Sequence, residues 1–153
     1  MLRVSVLVSA VLLAPLPLAA QTATPDPQIL ATVQRLFDGM RAKDTAGIRA
    51  LFDTSARLVS VGTRPDGTPL IRSIPISGFV RSIGGATVKL DERISNPEVR
   101  QDGGLATVWT SYTFYADTTL SHCGVDSFQL TRTANGWMIV AIADTQRRQG
   151  CTP

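Results

Sequence analysis

The sequence has little of what metal and nucleotide chemistry requires. Its 153 residues include two cysteines and one histidine, and their spacing does not match a zinc site. It has no glycine-rich phosphate loop, and no serine, histidine and aspartate follow the order that hydrolase families use. These absences disfavour metalloenzymes, nucleotide enzymes and serine hydrolases, and we expect neither a metal nor a cofactor.

Charge is also sparse. Charged residues make up 18% of the chain, and only Lys43 and Lys89 among its 15 basic residues are lysines. The arginines are scattered, and Arg147-Arg148 is the one adjacent basic pair. A nucleic-acid surface needs a basic stripe with interleaved aromatic side chains. We therefore expect no nucleic-acid partner.

The long apolar run of the sequence lies at its N-terminus. Of the first 20 residues, 15 are apolar and only Arg3 is charged, which raises the mean hydropathy to +0.12. Arg3, the apolar stretch Val4–Leu18 and the small residues Ala19 and Ala20 form the pattern of a secretory signal peptide. The stretch contains two prolines and is shorter than the roughly 20 residues of a spanning helix, although an uncleaved anchor is the alternative.

Cleavage after Ala20 would leave residues 21–153, the size of one domain. We expect this domain to be periplasmic or secreted, without a membrane partner. In an oxidising compartment the simplest state of Cys123 and Cys151 is a disulfide. Two free thiols are the alternative.

Helical patterns fill the first part of the mature chain. Asp26-Pro27 predicts a helix start, and apolar residues at three- and four-residue spacing continue to about Lys43. Asp44 predicts the cap of a second, shorter helix. Pro75 predicts the start of a third, which ends at Gly84-Gly85.

Strand patterns fill the rest. A short hairpin turns at Arg64–Gly67, and longer runs then follow at Thr87–Val99, Leu105–Tyr115, Gly124–Thr133 and Trp137–Asp144. Pro97 predicts a bulge or a bend, and Asn135-Gly136 predicts a two-residue hairpin turn. Helices followed by strands predict an α+β fold, with N-terminal helices packed on one face of a curved antiparallel sheet.

Three passages carry a resemblance to a known superfamily. They are a helix pair, a strand start and a final hairpin: Leu36–Phe52, Gly104–Trp109, and Asp126–Arg132 with Asn135–Ile139. From about Pro27 to Asp144 the chain resembles the nuclear transport factor 2-like superfamily, and within it the SnoaL-like and ketosteroid-isomerase-like small proteins. The resemblance implies a cone in which helices close over the sheet and leave a pocket. Its members include isomerases, hydrolases, dehydratases and binding modules, so the fold does not choose the function.

Strand alternation predicts the side chains that face this pocket. Asp126 shares a face with Phe128, and His122 shares it if no bulge intervenes. The register we predict for the preceding hairpin places Tyr112 opposite Asp126 and Phe114 opposite Gly124. We therefore expect Tyr112, Phe114, Asp126 and Phe128 to line a ligand pocket, with Asp126, Tyr112 and His122 as catalytic candidates.

The final hairpin carries a second register prediction. A two-residue turn at Asn135-Gly136 places Asp126 opposite Thr145 and puts Ala141 and Ala143 on the pocket face, where small side chains leave space. Asp144 then falls on the opposite face, and Cys123 faces position 148, from which a short turn returns Cys151.

The resemblance suggests two chemistries for such a pocket. Ketosteroid-isomerase-like members use an aspartate base and a tyrosine donor, and a desolvated aspartate is a usable base because its pKa is raised. Epoxide-hydrolase-like members use an Asp–Arg–Asp set, for which Arg93, Asp126 and Asp144 are candidates. The predicted register separates Asp144 from Asp126 and disfavours that set. A structural alternative is that Asp126 bonds backbone amides or Arg147.

Three functions follow as hypotheses. The leading one is a secreted or periplasmic SnoaL-like domain that binds a small apolar or amphipathic molecule in its pocket. The second is a cofactor-free isomerase, cyclase or hydratase with Asp126 as general base. The third is a structural or dimerisation module that acts through the outer sheet face, where Trp109 lies with Ser111, Thr113 and Tyr115. We expect a homodimer.

Overall fold

The computed structural model describes residues 24–152, so the predicted signal peptide at residues 1–20 lies outside the described residues. Three helices and six strands occur in this described part: α1 Pro27–Ala42, α2 Thr45–Ala50, β1 Phe52–Thr63, β2 Pro69–Ile74, α3 Ile76–Gly84, β3 Leu90–Asp102, β4 Leu105–Ala116, β5 Thr119–Thr133 and β6 Gly136–Thr145. No helix among residues 24–152 is long and apolar enough to cross a membrane.

Both predicted helix caps are confirmed. The Asp26 carboxylate accepts a hydrogen bond from the Gln28 amide, and the Asp44 carboxylate accepts one from the Gly47 amide. These bonds satisfy backbone donors that have no partner in the first turn of a helix. Asp26 also accepts a hydrogen bond from Trp137 Nε1 at 3.1 Å, which ties the start of α1 to β6.

The six strands form one curved sheet in the order β2-β1-β6-β5-β4-β3. All neighbouring pairs are antiparallel except β1 and β6, which run parallel. The helices pack on the inner face, where Phe37 of α1 meets Phe128 of β5 edge-on at 6.0 Å between ring centroids. The predicted α+β class, with N-terminal helices on a curved sheet, is confirmed.

The register predicted for the final hairpin is wrong. Thr133 lies opposite Gly136, so the turn residues are Ala134 and Asn135, and Gly136 has a φ of 106°. Asn135 does not have the positive φ of a type I′ turn. A positive-φ glycine directly after the two turn residues instead matches a type I turn with a glycine bulge.

A second irregularity is one extra residue in β6. Gln129 lies opposite Ala141, but the next residue, Leu130, lies opposite Ile139. As a result Asp126 lies opposite Asp144, not Thr145, and Ile142 lies opposite Phe128. Ile142 and Asp144 therefore face inward, and Ala141 and Ala143 face outward. The predictions that the two alanines widen the pocket and that Asp144 faces away from it are both wrong.

The register predicted between β4 and β5 is wrong by two residues, which leaves every side chain on its predicted face. Tyr112 lies opposite Gly124, and Phe114 lies opposite His122. The bulge predicted at Pro97 is confirmed, because the β3–β4 register shifts between Ser95 and Glu98.

The predicted disulfide is confirmed. Cys123 and Cys151 are bonded, with 5.6 Å between their Cα atoms. Cys123 pairs with Arg147 in an isolated antiparallel bridge, one residue from the predicted position 148. The disulfide fastens the chain that follows β6 to the start of β5.

Candidate functional site

A cavity of about 240 Å³ lies between α1, α3 and the inner face of the sheet. Its floor is apolar, with Leu36 and Phe37 from α1 and Phe79 from α3 among its lining residues. Five polar side chains that can exchange or carry protons reach the same space: Glu92, Tyr112, His122, Asp126 and Asp144. The structure thus brings together all the predicted pocket residues and all three predicted catalytic candidates.

Asp126 is buried, with 4% of its surface exposed. Its oxygen Oδ2 is fully buried and receives no hydrogen bond from an amide, amine or hydroxyl donor in residues 24–152. Burial raises the pKa of Asp126 to about 7, and the negative charge of Asp144 adds to this, while a hydrogen bond with Glu92 opposes it. The alternative that Asp126 serves backbone amides or Arg147 is not what the described residues show.

The hydrogen-bonding neighbour of Asp126 is Glu92, which enters the cavity from β3. Two carboxyl groups can share a hydrogen bond only when one of them keeps its proton. Burial raises the pKa of Glu92 well above its ordinary value, and the charge and hydrogen bond of Asp126 raise it further. Because the pKa values of both groups are raised, the pair holds one proton between them while this hydrogen bond lasts.

Asp144 lies beside this pair on β6. Ser60 of β1 donates a hydrogen bond to Asp144 Oδ2 at 3.0 Å, because the parallel pairing of β1 and β6 sets the two residues opposite each other. Burial raises the pKa of Asp144, and the Ser60 hydrogen bond opposes that rise. In residues 24–152, no group of three or more histidine, cysteine or acidic side chains is arranged to hold a metal ion.

Tyr112 is buried at the side of the cavity, and its hydroxyl donates a hydrogen bond to the Thr145 carbonyl oxygen at 2.9 Å. The tyrosine ring reaches Thr145 by crossing over Gly124, which has no side chain to block it. Burial raises the pKa of Tyr112, and the nearby carboxylates raise it further. Tyr112 therefore stays protonated, but its proton is already engaged with the backbone.

His122 lies at the cavity wall with its ring stacked on Phe114, 4.6 Å between centroids. Its Nδ1 is 3.1 Å from Ser121 Oγ, which leaves Nε2 as the ring nitrogen without an assigned partner. Burial lowers the pKa of His122, and the positive charge of Arg148 lowers it further. The imidazole is therefore neutral near pH 7.

The Asp–Arg–Asp set is not assembled by the residues proposed for it. Asp126 and Asp144 do meet in the cavity, but Arg93 lies on the outer side of β3. There it forms an ion pair with Asp91 at 2.8 Å, and its guanidinium stacks over the Tyr115 ring. The cavity therefore combines three carboxyls, and the arginine among its lining residues is Arg72 of β2, not Arg93.

Two site residues, Glu92 and Ser60, are absent from the predictions. Glu92 precedes Arg93 in a strand-like run, so alternation alone puts it on the face opposite Arg93. Only the pairing of β3 with β4 shows that this face is the inner one. Ser60 reaches Asp144 through a parallel strand pair, for which the sequence carries no local signal.

The arrangement of helices, sheet and cavity defines a fold class: the chain has the NTF2-like fold, in which nuclear transport factor 2-like proteins form a cone around an internal pocket. It is similar to an NTF2-like protein from Cytophaga hutchinsonii, with a TM-score of 0.64 and 14% identity over 78% of this chain and 96% of that one. It is also similar to a protein of unknown function with a cystatin-like fold from Nostoc punctiforme, with a TM-score of 0.61 and 13% identity over 79% of this chain and 90% of that one.

A third similar structure is a proposed dehydratase of the NTF2-like family from Streptomyces avermitilis, with a TM-score of 0.59 and 15% identity over 79% of this chain and 94% of that one. No protein-family model and no curated protein sequence matches the chain. At these identities the similarity shows the fold, and the function has to be inferred from the cavity.

Proposed function

We propose that the protein binds a small amphipathic molecule in the cavity and moves a proton on it, with Asp126 as the general base. The observation that carries this proposal is the buried Oδ2 of Asp126, which faces an apolar cavity without a conventional donor. An ionised carboxylate in such a place is costly to the fold, and groups of this kind cluster at functional sites. A base with a pKa of about 7 is also well matched to proton abstraction near neutral pH.

In this proposal Asp126 and Glu92 have different roles, the first as a base and the second as a hydrogen-bond donor. Asp126 removes a proton from a carbon next to a carbonyl group, and the electron pair of the broken C–H bond moves toward the carbonyl oxygen. The protonated Glu92 donates a hydrogen bond to that oxygen as negative charge develops on it. Returning the proton to another carbon completes an isomerisation, whereas departure of a leaving group from the neighbouring carbon completes an elimination.

The surrounding residues support this division. The apolar floor formed by Phe37, Phe128 and their neighbours keeps water from solvating the ionised carboxylate, which preserves its basicity. The neutral imidazole of His122 offers Nε2 as a further donor or acceptor to a bound molecule. The cavity volume of about 240 Å³ favours a small substrate, since drug-sized ligands occupy pockets of roughly 300–1,000 Å³.

Proton exchange tests the proposal with any small ketone that the cavity accepts. We would incubate the protein in D₂O with small ketones, including cyclohexanone and cyclohex-3-enone, and follow deuterium incorporation and double-bond migration by NMR. We expect Asp126→Asn to lower the exchange rate by about 10²–10⁴-fold and Glu92→Gln to lower it by a smaller factor. The wild-type rate should rise with pH through an apparent pKa of about 7.

Matched controls are available on exposed acids. Glu98 lies on the same strand as Glu92 but is exposed, and Asp102 is exposed at the end of that strand. Glu98→Gln and Asp102→Asn should leave the exchange rate unchanged. An Asp126→Asn protein that exchanges protons as fast as the wild type contradicts the proposal. Ketone binding without any exchange in the wild type would favour a binding protein.

We also propose a periplasmic or secreted location. The leader pattern of residues 1–20 and the Cys123–Cys151 disulfide support it, because disulfides form and persist in oxidising compartments. Mass spectrometry of the protein recovered from its native cells should give a mature chain that begins at Gln21. A full-length chain would contradict cleavage.

A second candidate function is self-association through the outer sheet face. Trp109 and Leu105 are each 55% exposed on this face of β4, and the outward side chains between Leu105 and Tyr115 carry no charge. Protein interfaces are depleted in charge and enriched in tryptophan, and a patch of this kind suits a two-fold contact with a second copy.

A further inference from the structure

A second concavity, of about 730 Å³, adjoins the carboxyl cavity. It lies between the β1–β2 hairpin and the segment that follows β6. Four arginines line it: Arg64, Arg72, Arg147 and Arg148. None of its lining residues, all of which belong to the described range, is acidic. We call this concavity the arginine groove.

The arginines of the groove have no carboxylate partners among residues 24–152. Within residues 24–152 the arginines that form ion pairs are Arg41, Arg93 and Arg132, all of them elsewhere. Arg64 is held by hydrogen bonds to the Thr68 hydroxyl and the Pro69 carbonyl, both within its own hairpin. Four like charges around one concavity repel each other and attract an anion, and the arginine fork matches carboxylate and phosphate geometry.

The groove and the cavity adjoin each other, because Ser60, Arg72 and Gln146 line both. Ser60 lies opposite Arg72 across the β1–β2 pair, and its hydroxyl binds Asp144 in the cavity. A single extended molecule can therefore occupy both spaces.

Arg147 and Arg148 are also near the catalytic candidates. The positive charge of Arg147 opposes the rise in the pKa of Tyr112, and that of Arg148 helps to lower the pKa of His122. The backbone of Arg147 makes two hydrogen bonds of 3.0 Å with that of Cys123, and Cys123 is bonded to Cys151. The disulfide thus holds both arginines at the mouth of the cavity.

We propose that the arginine groove binds the carboxylate or phosphate group of an organic anion whose uncharged end enters the carboxyl cavity. This inference rests on the proposed function and names the class of its substrate. The two ends of the site differ in charge, since the cavity contains the ionisable carboxyls of Asp126 and Asp144 and the groove contains four arginines. An anionic group is repelled from the cavity and attracted to the groove, so the molecule binds in one orientation.

A matched series of six-carbon probes tests the charge requirement on the oxidised protein. The probes are hexanoate, hexyl phosphate, hexan-1-ol and hexylammonium, with acetate and inorganic phosphate as headgroups alone, and binding is measured by isothermal titration calorimetry. We expect both six-carbon anions to bind at least tenfold more tightly than the alcohol, the amine or the headgroups alone. The stronger of the two anions identifies the headgroup as carboxylate or phosphate.

Variants locate the binding. Arg72→Gln and the double variant Arg147→Gln/Arg148→Gln should each weaken binding of the anionic probe by about tenfold or more, because each removes a charge-assisted hydrogen bond. Arg57→Gln is the control, since Arg57 is an exposed arginine of β1 that does not line the groove. It should leave the affinity unchanged. Reduction of the disulfide should weaken binding by freeing the segment that carries Arg147.

Three outcomes overturn the inference. The first is equal binding of hexanoate and hexan-1-ol, and the second is an equal loss of affinity in Arg57→Gln and in the groove variants. Inorganic phosphate that binds as tightly as hexyl phosphate would also overturn it, because the groove would then be separate from the cavity. These results are distinct from failure of the proposed function, in which anions bind as expected but no proton exchange depends on Asp126.

Discussion

A buried carboxyl group that ionises inside an apolar cavity destabilises the fold that contains it. Asp126 is in this position, since its pKa is raised to about 7, chiefly by burial. In an unfolded chain the same group has a pKa of about 3.9. Between these values the folded protein binds a proton that the unfolded protein has lost. The stabilising contribution of this group is therefore complete below about pH 4 and is lost as the pH rises through about 7.

The first prediction follows from this loss of stability with rising pH. Asn cannot ionise, so Asp126→Asn should have a melting temperature higher than the wild type at pH 8, by at least about 3 °C. The difference should shrink as the pH falls toward 4, because the unfolded wild type then gains little from ionising Asp126. Thermal denaturation followed by circular dichroism between pH 4 and 8 measures it. A difference that does not change with pH would show that Asp126 does not titrate as described.

Gly124 is the second residue on which the site depends. A Cβ atom there would overlap the Thr145 carbonyl oxygen and lie 2.7 Å from Tyr112 Cε1. Gly124→Ala should therefore lower the free energy of unfolding by about 2–3 kcal/mol and break the Tyr112–Thr145 hydrogen bond. Gly62→Ala is the control, because no atom lies within 4 Å of a Cβ at Gly62, and it should change the stability by less than about 0.5 kcal/mol. Urea denaturation measures the free energy of unfolding of both variants.

At the scale of strands and helices, local chemistry predicts that an element exists better than it predicts how two strands are paired. The caps at Asp26 and Asp44 and the bulge at Pro97 have causes within a few residues, and each is confirmed. The β4–β5 register is wrong by two, an even number, so Tyr112 still faces the cavity. In the β5–β6 hairpin the irregularity at Leu130 shifts the pairing by one, and Asp144 changes face.

The remaining site residues depend on pairings between distant segments. Ser60 meets Asp144 only because β1 runs parallel beside β6. Glu92 meets Asp126 although their strands, β3 and β5, are separated by β4. Hydrophobic alternation assigns the faces of a strand, but it does not say which strands become neighbours. Sequence reasoning therefore finds the base and misses its proton-bearing partner.

The third prediction concerns the chain segment that follows β6. The Cys123–Cys151 disulfide closes a loop with a sequence separation of 28, and the loop-entropy relation assigns about 3–4 kcal/mol to a loop of this size. The double variant Cys123→Ser/Cys151→Ser should lose that much stability in urea denaturation. Adding a reductant should destabilise the wild type to the same extent and leave the variant unchanged. A wild type that is insensitive to complete reduction would show that the segment is held by other contacts.

At the scale of the whole molecule, the two faces of the sheet have separate roles. The inner face carries the helices, the core and the cavity, and the groove opens at its edge. The outer face exposes Trp109 and Leu105 together with the other uncharged side chains of β4. The proposed substrate chemistry and the proposed self-association therefore use different surfaces, and a substitution on one face should leave the other function intact.

Trp109→Glu tests this separation. A negative charge at this position, next to Glu98 on the neighbouring strand, would meet its own copy across a two-fold contact, so the variant should be monomeric where the wild type is dimeric. Ile71→Glu is the control, because Ile71 is 69% exposed but lies on β2, four strands from β4, or about 19 Å at the usual spacing of strands. It should remain dimeric in light scattering coupled to size-exclusion chromatography. A monomeric wild type, or a Trp109→Glu protein that stays dimeric, would contradict the interface. Both variants should bind hexanoate as the wild type does, because neither substitution reaches the inner face.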